Sequence, residues 1–394
     1  MDKKKQGDHF IEAFDLYCKE TCNHNLIQEI IEDRKQTILS QLNHAHTGNL
    51  ADVFSTDIAQ RIIGKEPSSN LPSHYFFIEQ LAQQIFGCLL SFWTELEIYR
   101  IIQHSALYKN LSLADIPQTY DSHIINEHYH YEIIPDIALD KRLFFTGFCS
   151  HPLLLSDAIV LINIETFIKE HKWYEMLTLL DISSKGEHFI LYQFGEQHTY
   201  PNIISSALIN SISMSNEWLF FNDFFQNSKW PPIYQAHSVS NLKNITKMET
   251  TLDINTLINK PSNYMESCFL HSMLNKDKAC EAIRLTVSGE KSKANYHLYL
   301  AQKGLANALK NSGREIVFTI IEKPAMVLFY QSMNIDSPLL SPYLFTSSQD
   351  INKNGVITYK GLWLLNNAVI AFNQYNFKAY NVKIIELRKL LRNS

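Results

Sequence analysis

The sequence of 394 residues is long enough for roughly two or three domains, or for one large one. Hydrophobic side chains make up 45% of it and charged ones 19%, a composition that excludes extended disorder. Its 35 basic and 40 acidic residues leave a net charge of −5, which argues against bulk binding of nucleic acid. With only 12 glycines and 12 prolines, tight turns are few, and an all-β sandwich is disfavoured.

The N-terminus and the cysteines favour a soluble, cytoplasmic protein. The first residues, Met1–Gln6, are charged and lead into an amphipathic stretch instead of the apolar core of a signal peptide. The best candidate for a membrane span, Leu153–Ile168, contains Asp157 and Glu165, and no uncharged apolar run approaches the ~18 residues that a span needs. The six cysteines are scattered like buried thiols and not clustered like a disulfide scaffold.

Apolar residues recur at helical spacing in the first part of the chain, so residues 1–120 are predicted to form a helical N-terminal region. The stretch Tyr75–Ile102 is apolar nearly all round, which predicts the buried helix of this region. Residues 121–394 are predicted to form an α/β domain, with its core at about residues 200–394.

Short runs of β-forming residues separated by polar turns follow the helical region. The strands predicted there are Tyr129–Ile134, Leu143–Phe148, Ile159–Ile164, Met176–Leu180 and Phe189–Phe194. The segment Asn202–Phe225 returns to helical character.

From residue 230 onward the pattern becomes sequential. The predicted elements are one or two strands in Ile233–Thr251, a helix at Ser262–Leu274, a strand at Ala279–Val287, a helix at Lys293–Asn311 ended by Gly313, a strand at Glu315–Ile321, a helix opening at Lys323–Pro324, strands at Tyr343–Phe345 and Val356–Trp363, and a helix at Val382–Arg392. Strand, long helix and strand in succession predict a βαβ unit with a right-handed crossover, and therefore an α/β core.

The most informative segment is a predicted strand that carries both a glutamate and an arginine. Ile283, Leu285 and Val287 alternate as on a half-buried strand, and by parity Glu281 shares their face whereas Arg284 lies on the other. A carboxylate and a guanidinium are costly to bury in a central strand unless they are paired or functional. A β-bulge between them would turn both toward one cleft, and a structural ion pair near the strand end is the equally weighted alternative.

The same strand, Glu281-Ala-Ile-Arg-Leu-Thr-Val287, resembles the E-x-S-R-[FL]-x-V strand of the acyl-homoserine-lactone synthases. The segment Lys260–Leu274 resembles that family's T-G-P-Y-M-L-x-x-x-F helix and lies at the matching distance before the strand. The similarity covers residues 245–335. Total length and the additional helical N-terminal part resemble the longer branch of the family from marine vibrios, the LuxM/AinS/VanM type.

The resemblance implies an N-acyltransferase (GNAT)-like mixed sheet and the synthesis of a quorum-sensing autoinducer. It implies S-adenosylmethionine as one substrate, and as the other a short- to medium-chain acyl group on acyl carrier protein or coenzyme A. The resemblance implies no cofactor, because S-adenosylmethionine is consumed as a substrate. It also implies no metal, nucleic acid or membrane span.

The resemblance also assigns roles to individual residues. Glu281 is expected to take a proton from the attacking amine, and Arg284 to anchor either the acyl carbonyl end or the methionine carboxylate. Residues expected to bind substrate are Trp218, Tyr264, Met265, Phe269, Lys291, Phe318 and Met326, with Lys291 near a helix start that suits a phosphopantetheine phosphate. The family's Arg-x-x-x-Phe pair and its Asp-x-x-Asp have no counterpart in this sequence.

Two other patterns leave alternatives open. Lys383 and Lys389, with neighbouring arginines, suit either the dipole of the C-terminal helix or the docking of an acidic carrier protein. His128 and His130 form an H-x-H pair, but the sequence shows no acidic partner at a motif-like spacing, so a metal site is disfavoured.

Two other functions compete with autoinducer synthesis. An N-acyl amino acid synthase on the same fold would acylate a free amino acid and release no methylthioadenosine. A non-catalytic binding or effector protein would keep the fold without the activity.

Overall fold

The computed structural model describes residues 3–22, 76–87, 89–108, 119–120, 122–147, 149–169, 184–195, 200–211, 218–221, 278–321, 342–347 and 359–393, with single positions at 25, 26, 29, 32, 36, 326, 329, 330 and 333. The chain divides into two compact units. Unit 1 comprises residues 1–120, 138–185 and 198–202, and unit 2 comprises residues 121–137, 186–197 and 203–394. The predicted domain boundary at residue 120 stays a prediction.

The described chain begins with helices and continues with strands that are interrupted by further helices. In chain order they are α1 (Lys3–Glu20), α2 (Phe76–Phe86), α3 (Leu89–Tyr108), β1 (His123–Asn126), β2 (Tyr129–Ile134), β3 (Leu143–Thr146), β4 (Cys149–Leu154), α4 (Leu155–Asn163), a π-helical turn (Ile164–Lys169), β5 (His188–Gln193), β6 (Asn202–Ser211), a 3-10 turn (Leu219–Phe221), β7 (Ala279–Val287), a 3-10 turn (Lys291–Lys293), α5 (Ala294–Asn311), β8 (Ile316–Ile321), β9 (Tyr343–Ser347), β10 (Tyr359–Leu364), α6 (Leu365–Gln374) and α7 (Phe377–Asn393). Among the described helices, none has the length and apolar character to cross a membrane.

Aromatic packing joins the helices of unit 1. The ring of Phe92 on α3 meets Phe14 edge-on at 4.8 Å and Phe10 at 5.2 Å, both on α1. The prediction of a single helix over Tyr75–Ile102 is wrong, because Gly87 interrupts it and separates α2 from α3. Gly87 has φ +84°, a backbone conformation that glycine adopts without steric cost and that ends helices.

Two predicted elements of the middle region are wrong. Ile159–Ile164 is predicted as a strand but lies in α4 and the π-helical turn, and the N-terminal part of Asn202–Phe225, predicted as helical, is the strand β6. Both segments contain runs of buried residues without alternation, and such runs fit a buried helix and a central strand equally well. The predicted strand Met176–Leu180 lies outside the described residues.

A large mixed sheet forms the centre of unit 2. Its strands are neighbours in the order β1-β2-β5-β6-β7-β8-β10-β9. The pairs β6/β7, β8/β10 and β10/β9 are antiparallel, whereas β7 and β8 are parallel and are connected through α5. This confirms the predicted βαβ unit. Gly313, with φ +87°, ends α5 as predicted.

The helices α5, α6 and α7 contribute to one hydrophobic core, which covers one side of this sheet, here termed the helix face. Ile209, Ala282, Val317 and Trp363 are among the residues that the four central strands contribute to it. At Gly304 of α5, an added Cβ would lie 3.1 Å from the Phe189 ring on β5, so glycine allows the helix to approach the strand closely.

Candidate active site

A β-bulge interrupts β7 at Arg284. Leu208 pairs with Ile283 and Ser206 pairs with Thr286, so two residues of β7 stand opposite one residue of β6. Arg284 has φ +56°, the left-handed conformation that is uncommon for residues other than glycine. The bulge that the sequence suggested is therefore present, and it carries one of the two charged residues of the motif.

The bulge changes which residues share a face. Leu285 and Val287 pack against the core of the helix face, together with Cys280 and Ala282. Glu281 pairs with Asn210 of β6 and faces the opposite side, here termed the Glu281 face. The predicted common face of Glu281 with Leu285 and Val287 is therefore wrong, because the extra residue of a bulge shifts the alternation beyond it.

The parallel strands β7 and β8 diverge close to Glu281, at a point here termed the split. β7 pairs with β8 from Ala279 opposite Ile316 to Ala282 opposite Thr319. Both strands continue within the described residues, β7 to Val287 and β8 to Ile321, but that pairing does not. Beyond Ala282, the edge of β7 that faces β8 is thus not hydrogen-bonded to β8 as a ladder.

The carboxylate of Glu281 is fully buried and held by hydrogen bonds. Its Oε1 accepts the backbone N–H of Phe220 at 2.7 Å, and its Oε2 accepts Nδ2 of Asn210 at 2.8 Å. The backbone N–H of Leu219 contributes a further hydrogen bond. These donors come from β6 and from the 3-10 turn, so the folded chain orients the carboxylate before any substrate binds.

Burial raises the pKa of Glu281 to about 7, against an ordinary value of 4.5. The hydrogen bonds from Phe220, Asn210 and Leu219 lower the pKa, as does the charge of Arg284, but the loss of hydration outweighs them. A carboxylate with a pKa near neutral pH can both accept and return a proton under physiological conditions. The chemistry available at this site is therefore proton transfer.

Aromatic residues pack against one another next to Glu281 on the same face. The ring of Phe318, on β8 opposite Glu281, meets Phe220 edge-on at 4.7 Å and Trp218 at 5.2 Å. The indole Nε1 of Trp218 donates to the backbone oxygen of Ser211 at 3.0 Å, which fixes the turn against the end of β6. Trp218 and Phe318, both predicted to bind substrate, are thus close to Glu281.

A buried lysine also belongs to this face. Lys360 on β10 is 0% exposed, and its Nζ lies 5.4 Å from the centre of the Phe220 ring. Neither Lys360 nor Asn210 was predicted from the sequence. The single lysine of the apolar strand Tyr359–Leu364 was a usable signal, whereas the segment around Asn210 was predicted to be helical.

The other predicted site residues are distributed differently. Arg284 is half-buried, and its charge lowers the pKa of Glu281 as well as that of the buried His188, for which burial is the larger cause. Lys291 is exposed in the 3-10 turn that precedes α5. Met326 packs against the core of the helix face, away from Glu281. The remaining three, Tyr264, Met265 and Phe269, lie outside the described residues.

The histidine pair does not gather metal ligands. A hydrogen bond of 2.9 Å joins Nδ1 of His130 to Oγ of Ser122, and the His130 ring stacks on Tyr192 with 5.8 Å between ring centres. His128 is exposed. Within the part of the chain that the structure describes, no group of three histidine, cysteine or acidic side chains is placed to hold a metal ion.

A buried glutamate able to take a proton, next to the point where two parallel strands diverge, is a candidate general base of the kind found in enzymes that activate a nucleophile. The family model described as acyl homoserine lactone synthase matches residues 7–393. Similar proteins include the acyl-homoserine-lactone synthase OpaM of Vibrio parahaemolyticus serotype O3:K6 (strain RIMD 2210633), with 31% identity over 93% of this chain and 88% of the relative. The acyl-homoserine-lactone synthase LuxM of Vibrio harveyi is 31% identical over 92% of this chain and 88% of its own. LuxM of Vibrio atlanticus (strain LGP32) is 30% identical over 96% and 92%.

The chain belongs to the acyl-homoserine-lactone synthase family. It is accordingly an acyltransferase of quorum-sensing autoinducer synthesis, which confirms the family and the branch that the sequence resembles.

Proposed function

We propose that this enzyme transfers an acyl group from a thioester to the amine of S-adenosylmethionine, with Glu281 as the general base, and then closes the lactone. The acyl donor is a short- to medium-chain acyl group on acyl carrier protein or coenzyme A. The observation that carries the proposal is the buried carboxylate of Glu281, held by Asn210 and the Phe220 N–H with its pKa raised to about 7.

Acylation begins with deprotonation of the substrate's ammonium. An α-amino group has a pKa of about 7.7–8.0, close enough to that of Glu281 for a proton to pass between them, directly or through one water. The amine nitrogen then attacks the thioester carbonyl carbon and forms the new C–N bond. As the tetrahedral intermediate collapses, its nitrogen loses a second proton and the C–S bond breaks. One of the two protons that leave the nitrogen passes to the departing thiolate, and the other is released to solvent through Glu281.

The thioester is placed at the split between β7 and β8. This divergence of parallel central strands supports a GNAT-like fold, in which backbone N–H groups of β7 beyond its pairing with β8 stabilise the oxyanion. Trp218 and Phe318 form an apolar wall beside Glu281, and Arg284 anchors the acyl carbonyl end. Lys291, at the turn before α5, receives the phosphate of phosphopantetheine.

Lactone closure needs no further catalyst group. A carboxylate oxygen of the N-acylated S-adenosylmethionine attacks the γ-carbon of the same molecule and forms the ring C–O bond. The bond from that carbon to the sulfonium sulfur breaks, and methylthioadenosine leaves with the electron pair. No metal ion takes part in this scheme.

Carrier-protein docking is proposed for the C-terminal helix. On α7, Lys383 lies 4.1 Å from the ring centre of Tyr375, and Val382 and Ile385 beside it are exposed. A cation next to exposed apolar residues suits an acidic protein partner. Replacing Lys383 with Glu is expected to raise KM for acyl carrier protein without affecting an acyl-CoA donor.

Product analysis tests the proposed reaction. Purified enzyme supplied with S-adenosylmethionine and an acyl thioester is expected to release an acyl-homoserine lactone and methylthioadenosine in equal amounts, as measured by mass spectrometry. Acylation of a free amino acid without methylthioadenosine would instead support the N-acyl amino acid synthase. Absence of any acylated product from a protein that is thermally stabilised by S-adenosylmethionine would support a binding protein.

A further inference from the structure

We infer that His297 and Tyr129 position the turn before α5 so that it binds the phosphate of the phosphopantetheine arm. This turn, Ser288–Lys293, is here termed the α5 turn. The inference rests on the proposed function, which places that phosphate at Lys291, and it adds two positioning residues to it.

The α5 turn has the features of an anion site. The N-cap of α5 makes no side-chain hydrogen bond, and no acidic residue lies in the first turn of the helix. Backbone N–H groups at a helix start attract anions, and Lys291 and Lys293 add positive charge. The carboxylate of Glu290 is exposed and lies 3.3 Å from the Ser292 hydroxyl and 3.6 Å from the Lys293 ammonium. Because it lies in solvent, it can move away from an incoming phosphate.

The strand β7 connects the split with the α5 turn over a suitable distance. Four residues of extended chain lead from Arg284 to Ser288, a length of about 13 Å. The phosphopantetheine arm has about 13 bonds between its sulfur and its phosphorus, as many as about four residues of extended backbone, which span about 14 Å. An arm whose thioester lies at the split therefore reaches the α5 turn with its phosphate.

The ring of His297 packs against this turn. Gly289 has φ +105°, a conformation that glycine adopts without steric cost, and a Cβ added there would lie 3.5 Å from Cε1 and 3.6 Å from Nδ1 of His297. The backbone N–H of Ser288 donates to the Ile204 carbonyl at 2.8 Å, which fixes the first residue of the turn to β6. The imidazole therefore supports the turn at the residue next to this anchor.

A hydrogen bond connects His297 to the sheet. Its Nε2 lies 3.2 Å from the hydroxyl oxygen of Tyr129 on β2, and both residues are buried. Burial lowers the pKa of His297 and raises that of Tyr129, so the imidazole is neutral and the phenol keeps its proton. The backbone of Ser288 raises the pKa of His297, as a carbonyl acceptor does. Nδ1 of the imidazole therefore carries the proton, and Nε2 accepts the Tyr129 hydroxyl.

Two buried polar atoms lie next to the turn without a well-formed hydrogen bond. Nδ1 of His297 faces the Ser288 carbonyl, but neither it nor Oγ of Ser288 makes a hydrogen bond of normal geometry with the described residues. His297 is 3% exposed and Ser288 is 7% exposed. Buried polar groups are almost always paired, so these two atoms indicate a turn that completes its hydrogen bonds when it closes on a ligand. Phosphate binding should then depend on the imidazole and on the Tyr129 hydroxyl that orients it.

The phosphate of the acyl donor distinguishes this role from support of the fold. Steady-state kinetics on the full chain, with S-adenosylmethionine as acceptor, compare hexanoyl-phosphopantetheine with hexanoyl-pantetheine, which lacks the phosphate. Wild type is expected to have a KM about 10- to 100-fold lower for the phosphorylated donor, because hydrogen bonds to a charged group are strong. His297→Leu should lose most of this difference, with kcat and the KM for hexanoyl-pantetheine unchanged.

Further variants sharpen the comparison. Tyr129→Phe removes the hydroxyl that orients the imidazole and should raise the KM for the phosphorylated donor by about 2- to 10-fold. His297→Gln, which can still accept from Tyr129, should keep part of the difference, whereas Lys291→Ala should lose it. Tyr299→Phe is the matched control on α5. Its hydroxyl donates to the Tyr375 carbonyl at 2.9 Å, so its removal should leave the difference between the donors intact.

Retention of the full difference in His297→Leu or, where that variant does not fold, in Tyr129→Phe would overturn the inference. A KM that rises equally for both donors would overturn it too, because such a change shows damage to the fold. A wild type that forms the lactone from both donors with the same KM would overturn the role of the α5 turn and leave the proposed function intact. Release of no methylthioadenosine with either donor would remove both.

Discussion

The two faces of the sheet in unit 2 are built on opposite principles. The helix face is apolar and aromatic, and on it the buried hydroxyl of Tyr380 donates a hydrogen bond to Gln302 Oε1 at 3.0 Å. The Glu281 face carries a buried carboxylate and a buried ammonium within the same sheet. Burial of apolar groups stabilises a fold, whereas burial of charges lowers its stability. The helix face thus stabilises the structure, whereas the Glu281 face carries a buried carboxylate that is costly to bury and that the proposed function uses as the general base.

The largest expected effect is on activity at the Glu281 face. Glu281→Gln keeps the shape of the side chain and the bond from the Phe220 N–H but cannot accept a proton. We expect acyl-homoserine-lactone synthesis to fall by about 10²- to 10⁴-fold. Synthesis is measured by mass spectrometry on protein shown to be folded by circular dichroism. A variant that folds and retains full synthesis would exclude Glu281 as the base.

The converse change on the helix face should affect stability. Trp363 is fully buried and packs edge-on against Tyr330 at 5.6 Å. Trp363→Ala is expected to lower the free energy of unfolding by about 3–5 kcal/mol, while the folded fraction stays active. Urea denaturation measures this loss, and Trp363→Phe provides the control with a smaller cavity. Normal stability with lost activity would contradict the division between the faces.

The ionisation of Glu281 should make stability depend on pH. The folded chain holds the proton up to a pKa of about 7, whereas the unfolded chain releases it near 4.5. The stabilisation from the neutral carboxyl is therefore complete below pH 4.5 and is lost as the pH rises through 7, by an amount on the order of 3 kcal/mol. The difference in unfolding free energy between wild type and Glu281→Gln should change in this direction between pH 4.5 and 8. A constant difference would contradict the raised pKa.

The smallest expected effect is that of a single donor. Asn210→Ala removes the hydrogen bond of 2.8 Å that favours the ionised form of Glu281, so the pKa of the carboxyl rises further. Activity near pH 7 should fall by up to about 10-fold and recover at higher pH. Recovery distinguishes this effect from damage to the fold. A loss that is equal at all pH values would show that Asn210 acts in some other way.

Local patterns in the sequence were sufficient for part of this account. The succession of β7, α5 and β8 was predictable because strand alternation, helical spacing and the stop at Gly313 are each encoded within a few residues. The helix and strand assignments of α4 and β6 failed where buried runs carry no period. The charged pair in β7 identified Glu281 as a candidate through its motif and its cost of burial.

The environment of Glu281 was not predictable in the same way. Asn210 and Phe220 lie 71 and 61 residues before Glu281, so only the register of β6 and the position of the 3-10 turn bring them to the carboxylate. Lys360 reaches the same face through two further strand pairings. Such contacts depend on tertiary structure and leave no local spacing in the sequence.

The pH dependence of kcat/KM for acyl transfer tests the role of Glu281 most directly, because this ratio reports the ionisation of the free enzyme. With S-adenosylmethionine as acceptor, the wild type should gain activity as the pH rises, with an inflection near the Glu281 pKa of about 7. In Glu281→Gln that inflection should be absent and the residual rate low. The same inflection and rate in both proteins would contradict the assignment of Glu281 as the base.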